Sequence, residues 1–207
     1  MHRTTKSARP VAAVLLPGLF VGLAGCSAVA PDPGVIVQLQ ASWPAYDQTS
    51  LVREATLVVE GSVVATDFTI LLPGDDGVTP GQNPLLGLSE AEKRAVIPDL
   101  TGVPSTLVTV RVDTVYRGDV RPGGEVTIVQ TGGRLDDQLY SAAAEPLLEA
   151  NRTYLLFAAG SLDGAYAVLG GSAGTYVGTA EGAYRAVNPD LAPFDRLTRG
   201  EVARLTR

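Results

Sequence analysis

A mainly β fold, a small barrel or sandwich with a few short helices, is what this sequence of 207 residues predicts. Three observations predict it. Residues 107–130 hold two alternating runs: Val108, Val110 and Val112 against Thr109, Arg111 and Asp113, then Val126 and Ile128 against Glu125 and Thr127. Successive side chains on a strand point to opposite faces, so these are two half-buried strands. The connector Gly118-Asp119-Val120-Arg121-Pro122-Gly123-Gly124 is turn chemistry, which makes the pair a hairpin. Second, residues 153–158, TYLLFA, are apolar on both faces, as a central strand is. Third, further short β-type runs at 56–65, 165–169, 175–179 and 182–187 are separated by turn signals and do not alternate with long helices.

The remaining elements follow in chain order. Residues 27–35, SAVAPDPGV, are small and Pro/Gly-rich and read as a spacer. Val35, Val37 and Leu39 alternate with Ile36 and Gln38, which fits a short edge strand or more of the spacer. Asp47, Thr49 and Ser50 offer caps for a short helix over 51–55. Gly61, inside an otherwise apolar strand, marks a bulge or a close approach of backbones. Residues 67–105 read as a long irregular insertion, the expected binding surface, with a capping box at Ser89 and Glu92 opening a helix to about Val96. Residues 136–151 read as a loop with helical character near 139–145. Thr198 and Glu201 form another capping box, opening a terminal helix. The expected core joins Val110, Val112, Val126, Ile128, Leu155 and Phe157.

Composition excludes several functions. The first 25 residues hold three of the 16 basic side chains and none of the 22 acidic ones, so the rest carries 13 against 22, a net charge of −9. Such a chain is repelled by phosphate backbones, so no nucleic-acid partner is expected. The one His is His2 and the one Cys is Cys26, both near the start. Beyond residue 26 no imidazole or thiol remains for nucleophilic catalysis, metal ligation or disulfides.

Gly170-Gly171-Ser172-Ala173-Gly174 fits G-x-S-x-G, yet the nucleophile elbow needs a following helix and a His base, and here a strand-like run follows. It reads as a glycine-rich turn. Asp75-Asp76-Gly77 and Asp136-Asp137 lack the spacing of a helix-loop-helix calcium site and read as solvated turns. Asn151-Arg152-Thr153 is a sequon by pattern only, and Trp43, Tyr46 and Tyr176 read as core or rim residues.

The chain opens with a basic stretch containing His2, Arg3, Lys6 and Arg9, then fifteen apolar residues, 11–25, interrupted by Pro17. That run is shorter than the roughly 20 residues that span a bilayer. It ends Leu23-Ala24-Gly25-Cys26, which resembles the lipobox of bacterial lipoproteins. The resemblance implies cleavage between Gly25 and Cys26 and a lipid on Cys26, of the diacylglyceryl type with palmitate-like chains. The chain then divides into a lipoprotein signal peptide at 1–25, a flexible tether at 26–41 and a single β-rich domain at 42–207. VVEGSVV, TVRVDTVYRGDVRPGGEVTI, ANRTYLLFA and GGSAG further resemble small OB-like barrels related to netrin-type modules, although animal netrin-type modules carry disulfides that this chain lacks.

The expected protein is a lipoprotein on the extracytoplasmic face of the cell membrane, a non-enzymatic binding or structural module of the envelope with a protein or glycan partner. It is assigned no cofactor, no metal and no catalytic residue. The alternative is a hydrolase that works without His, on carboxylates.

Overall fold

The computed structural model describes residues 34–71, 87–89, 91–92, 102–142, 145–160 and 164–207. Strand β1 is Val35–Leu39, followed by helix α1, Gln48–Glu54, and strand β2, Leu57–Leu71. Then come β3 (Val103–Arg117), β4 (Glu125–Thr131), β5 (Gly133–Leu135), β6 (Gln138–Ala142), β7 (Thr153–Gly160) and β8 (Tyr166–Val168). A 3-10 turn at Gly171–Gly174 leads to β9 (Thr175–Gly178), β10 (Ala183–Ala186), β11 (Arg196–Thr198) and helix α2 (Arg199–Leu205).

Five strands close a barrel. β2 pairs antiparallel with β3 and β3 with β4; β4 pairs parallel with β8; β8 returns antiparallel to β7, and β7 pairs with β2. Numbered among themselves, the barrel strands run 1-2-3-5-4 and back to 1. This is the connectivity of an OB-like barrel. Closure removes sheet edges around the ring. Beyond the barrel, β9, β10 and β11 extend the sheet from the first half of β7, on the same edge whose second half holds β8.

Alternation sorts the side chains into two cores. On β7, Tyr154, Leu156 and Ala158 point into the barrel with Val59, Val63, Val108, Val110, Val112, Val126 and Ile128. Leu155 and Phe157 point outward, where Val58, Tyr176, Tyr184 and Leu197 pack with Leu51 of α1 and Val202 of α2. The expectation of one core holding Val110 and Phe157 is therefore corrected: a strand apolar on both faces feeds two separate cores. Each such side chain, fully buried, contributes about 1.5–3 kcal/mol.

Both helices are held at their ends. Asp47 caps α1 by accepting from the Ser50 amide at 2.7 Å, while the Ser50 hydroxyl accepts from the Asp47 amide at 3.0 Å. At the other end the Arg117 guanidinium donates to the carbonyls of Ala55 (3.1 Å) and Val52, where a cation suits the helix dipole. Thr198 and Glu201 form the capping box that opens α2, and Ser89 and Glu92 make the reciprocal bonds foreseen for them. The continuation of that third helix toward Val96 lies outside the described residues.

Gly61 marks both a register shift and a close approach: a β-carbon there would sit 2.5 Å from the Arg111 carbonyl oxygen. Where the sequence left Val35–Leu39 open between edge strand and spacer, it is a strand, parallel to β6 in a second sheet of order β1-β6-β5. That sheet meets the far half of the β2–β3 hairpin, where the Phe68 and Tyr140 ring centroids are 5.7 Å apart.

Two further expectations are corrected. The irregular insertion at 67–105 is narrower than expected, because β2 continues to Leu71 and β3 begins at Val103. Helical character near 139–145 is replaced by β6, whose backbone groups are satisfied by β1 on one side and β5 on the other. β11 has no forecast counterpart, since three residues carry too little pattern to show.

Candidate functional site

Glu60 is the one charged residue in the apolar start of β2, and it is 5% exposed. Its side chain faces outward with that of Val58, because Val59 and Val63 take the barrel interior. Two irregularities on β3 furnish its surroundings. The register slips between the pairs Gly61–Val112 and Glu60–Thr114, so Asp113 is an extra residue, and it slips again at Tyr116. Val112 thus stays inside while Thr114 and Tyr116 turn to the outer face beside Glu60.

The carboxylate is surrounded by donors. The Tyr184 hydroxyl donates to Oε2 at 2.7 Å, and the Arg199 guanidinium donates to Oε1 at 2.6 Å and to Oε2 at 3.2 Å. The Tyr184 and Tyr116 hydroxyls are 2.8 Å apart. An ionised carboxylate only accepts, so Tyr184 spends its single proton on Glu60 and Tyr116 must donate to Tyr184. Burial pushes the Glu60 carboxyl up, but bonds from Arg199, Tyr184 and Thr114 outweigh it, and the group is held below the usual carboxylate range. Tyr184 is raised well above an ordinary phenol by burial, then by its bonds with Tyr116 and Glu60.

Glu60, Tyr184 and Arg199 of this network form the wall of a cleft of about 320 Å³, which Arg152, Thr153 and Val177 also line. A smaller hollow of about 220 Å³ adjoins it through Arg152 and Val177 and is lined by Pro146, Leu148, Tyr154 and Val187. Arg152 is engaged by Glu149 at 2.8 Å. Arg199 spends two of its five N–H donors on Glu60 and is otherwise exposed. The cleft therefore presents hydrogen-bond donors on a rigid sheet. It presents no free base.

A second buried carboxyl lies elsewhere. Glu145 is 6% exposed and accepts from the Thr131 amide at 3.2 Å. Burial raises it to about 7, against smaller opposing effects of Thr131 and Gln130. Glu60 pairs with Thr114, whereas Thr131 pairs with Ser105, nine residues away along β3.

Ser172 lies in the 3-10 turn, not at the head of an α-helix. It is 1% exposed, and its hydroxyl has no hydrogen-bond partner. Gly170 and Gly171 adopt positive φ (63° and 61°), and the Trp43 ring packs over Gly171. The Tyr176 hydroxyl is buried as well; the Phe194 backbone approaches it without the geometry of a hydrogen bond. Tyr176 belongs to the outer core, and Trp43 and Tyr46 are half-buried. Asp136 and Asp137 are exposed turn residues. Among the described residues no His, Cys, Asp or Glu cluster could hold a metal. Gly25, Cys26, Asp75 and Asp76 lie outside the described residues.

Sequence reasoning passed over Glu60, Tyr116, Tyr184, Arg199 and Glu145. One signal was present for Glu60, a lone charge within LVVEGSVV. Nothing local links it to residues 124 and 139 positions later. No protein-family model matches the chain, and no curated protein is significantly similar to it.

Proposed function

We propose that this chain is a lipid-anchored, extracytoplasmic lipoprotein of the cell membrane whose OB-like β domain is a non-enzymatic binding module of the envelope. The anchoring half of this reading rests on Leu23-Ala24-Gly25-Cys26 after a basic start and a short apolar run. Among the described residues no helix is long and apolar enough to cross a membrane. Two acyl chains on Cys26 would hold the domain at the surface, since each buried CH₂ contributes about 0.8 kcal/mol and one chain alone binds only marginally.

The binding half rests on the state of Glu60. Both its oxygens are occupied by Arg199 and Tyr184, and its proton affinity is lowered, which suits a fixed wall and not a general base. The carboxylate hydrolase is the weaker reading. Glu145, near pKa 7, has the proton affinity of a general acid. It lies nine register positions along β3 from Glu60 and shares no hydrogen-bond partner with it, whereas the two carboxyls of a glycosidase face one another across the scissile bond.

Mass spectrometry of the mature N-terminus tests the anchor: a diacylglyceryl-modified Cys26 is expected, with Cys26→Ala leaving the protein unprocessed. A pull-down from envelope extract tests the cleft. An envelope protein or glycan retained by the wild-type chain and released by Arg199→Ala supports it; equal retention removes the cleft from the reading.

A further inference from the structure

β1 is a sheet edge that no strand among the described residues covers. The Val35 amide donates to the Asp137 carbonyl at 3.2 Å. In a parallel ladder alternate residues turn both backbone groups to the same neighbour, so Val35, Val37 and Leu39 bond toward β6. Ile36 and Gln38 then turn their N–H and C=O groups to the open side, where no strand among the described residues pairs with them. Proteins blunt such edges with charge, proline or brevity. The other terminal strands do so: β5 and β11 are three residues long and carry Arg134 and Arg196. β2 beyond its pairing with β7 carries Asp67. β1 has five residues, and no charged residue occurs anywhere from 34 to 46. Val35 and Ile36 are 48% and 56% exposed.

We propose that this edge is a homotypic interface, β1 pairing antiparallel with β1 of a second copy about a two-fold axis at Val37. Charge argues for a second copy as the occupant. The chain is acidic overall and its surfaces repel one another, but this edge is neutral, and antiparallel pairing sets no like charges opposite each other. Geometry fixes the register. Ile36 of one copy faces Gln38 of the other, and each such pair exchanges two N–H···O bonds, four in all. Val37 falls on the axis as a non-hydrogen-bonded pair, with Cα atoms about 4.5 Å apart. Two five-residue edges bury less than the roughly 1,000 Å² of a stable interface, so the pairing is weak in free solution. It rests on the anchored reading for its strength: copies held on one membrane surface meet at high effective concentration.

The test is oxidative cross-linking of the full-length chain in membranes. Val37→Cys should give a disulfide dimer on a non-reducing gel, because ~4.5 Å lies within the Cα spacing a disulfide accepts. Ile36→Cys, off the axis, should cross-link at least tenfold less. Adding Gln38→Pro to Val37→Cys removes an outward donor without touching the bonds to β6, and should cut the dimer at least tenfold. The wild-type chain, with Cys26 alone, should give none. After the membranes are dissolved in detergent at equal total concentration, the Val37→Cys dimer should fall at least tenfold. Equal cross-linking in membranes and in detergent upholds the pairing and removes the anchor from it. Equal cross-linking at Ile36 and Val37, or none at Val37 in either condition, overturns the pairing.

Discussion

The guanidinium of Arg199, the first residue of α2, grips the buried carboxylate of Glu60 through both Nη2 (2.6 Å) and Nε (3.2 Å), tying the C-terminal helix to β2 across 139 residues of sequence. Removing Glu60 takes the buried acceptor from both Arg199 and Tyr184, and the Tyr184 proton can then turn only to Tyr116, which loses its own acceptor. Glu60→Ala should therefore destabilise the fold by about 1–3 kcal/mol in urea at pH 7. Arg199→Ala should destabilise it in the same direction and should raise the Glu60 pKa. Because the folded carboxyl lies below its ordinary value near 4.5, its contribution is present above that value and is lost as pH falls through the folded pKa. Wild-type stability should drop in acid below pH 4.5 more steeply than that of Glu60→Gln.

Glu145 should act with the opposite sign. Its folded pKa, about 7, is above the ordinary 4.5, so between these values the folded state holds a proton that the unfolded chain has released. Stability therefore falls as pH rises from 4.5 to 7, by about 1.4 kcal/mol per pH unit at most. Glu145→Gln can still accept from the Thr131 amide and has no charge to desolvate. It should be more stable than wild type by about 1–3 kcal/mol at pH 8, with the difference gone at pH 4. An unchanged pH slope in urea titrations of this variant would remove Glu145 as the source.

Ser172→Ala deletes a buried hydroxyl that has no partner. The variant should be neutral or more stable by about 1 kcal/mol, because an unsatisfied buried polar group is costly. Serine-directed phosphonates should not label the protein. Labelling at Ser172 would show that the hydroxyl is both accessible and activated.

The two cores should respond independently. Ile128→Val in the barrel should cost about 0.5–1.5 kcal/mol and Phe157→Ala beneath the helices about 3–5. Together they should add to within about 0.5 kcal/mol, since they share no core. Ile128→Val combined with Val108→Ala should not add, because those residues face each other across β3 and β4. Denaturant titrations of the single and double variants give both couplings.

Alternation in β3, β4 and β7 and the capping residues Asp47 and Thr198 were legible because each is a local pattern a few residues long. β6 was misread because its helical tendency is weak and pairing with two neighbouring strands overrides it. The site was almost wholly illegible. Glu60 stood out as a charge in an apolar strand, but its partners are set by register slips at Asp113 and Tyr116 and by the docking of α2.

The sequence by itself determined a mainly β domain, because strand periodicity is written in consecutive residues, and it carries Leu23-Ala24-Gly25-Cys26, on which the proposed anchor rests. Only the tertiary structure decided that the barrel closes through a parallel β4–β8 pair, that β7 serves two cores, and that Glu60 and Glu145 belong to separate hydrogen-bond networks with opposite shifts in proton affinity. The reason is physical: strand partners, burial and desolvation depend on residues distant in sequence, and a single-residue bulge changes which face a side chain meets.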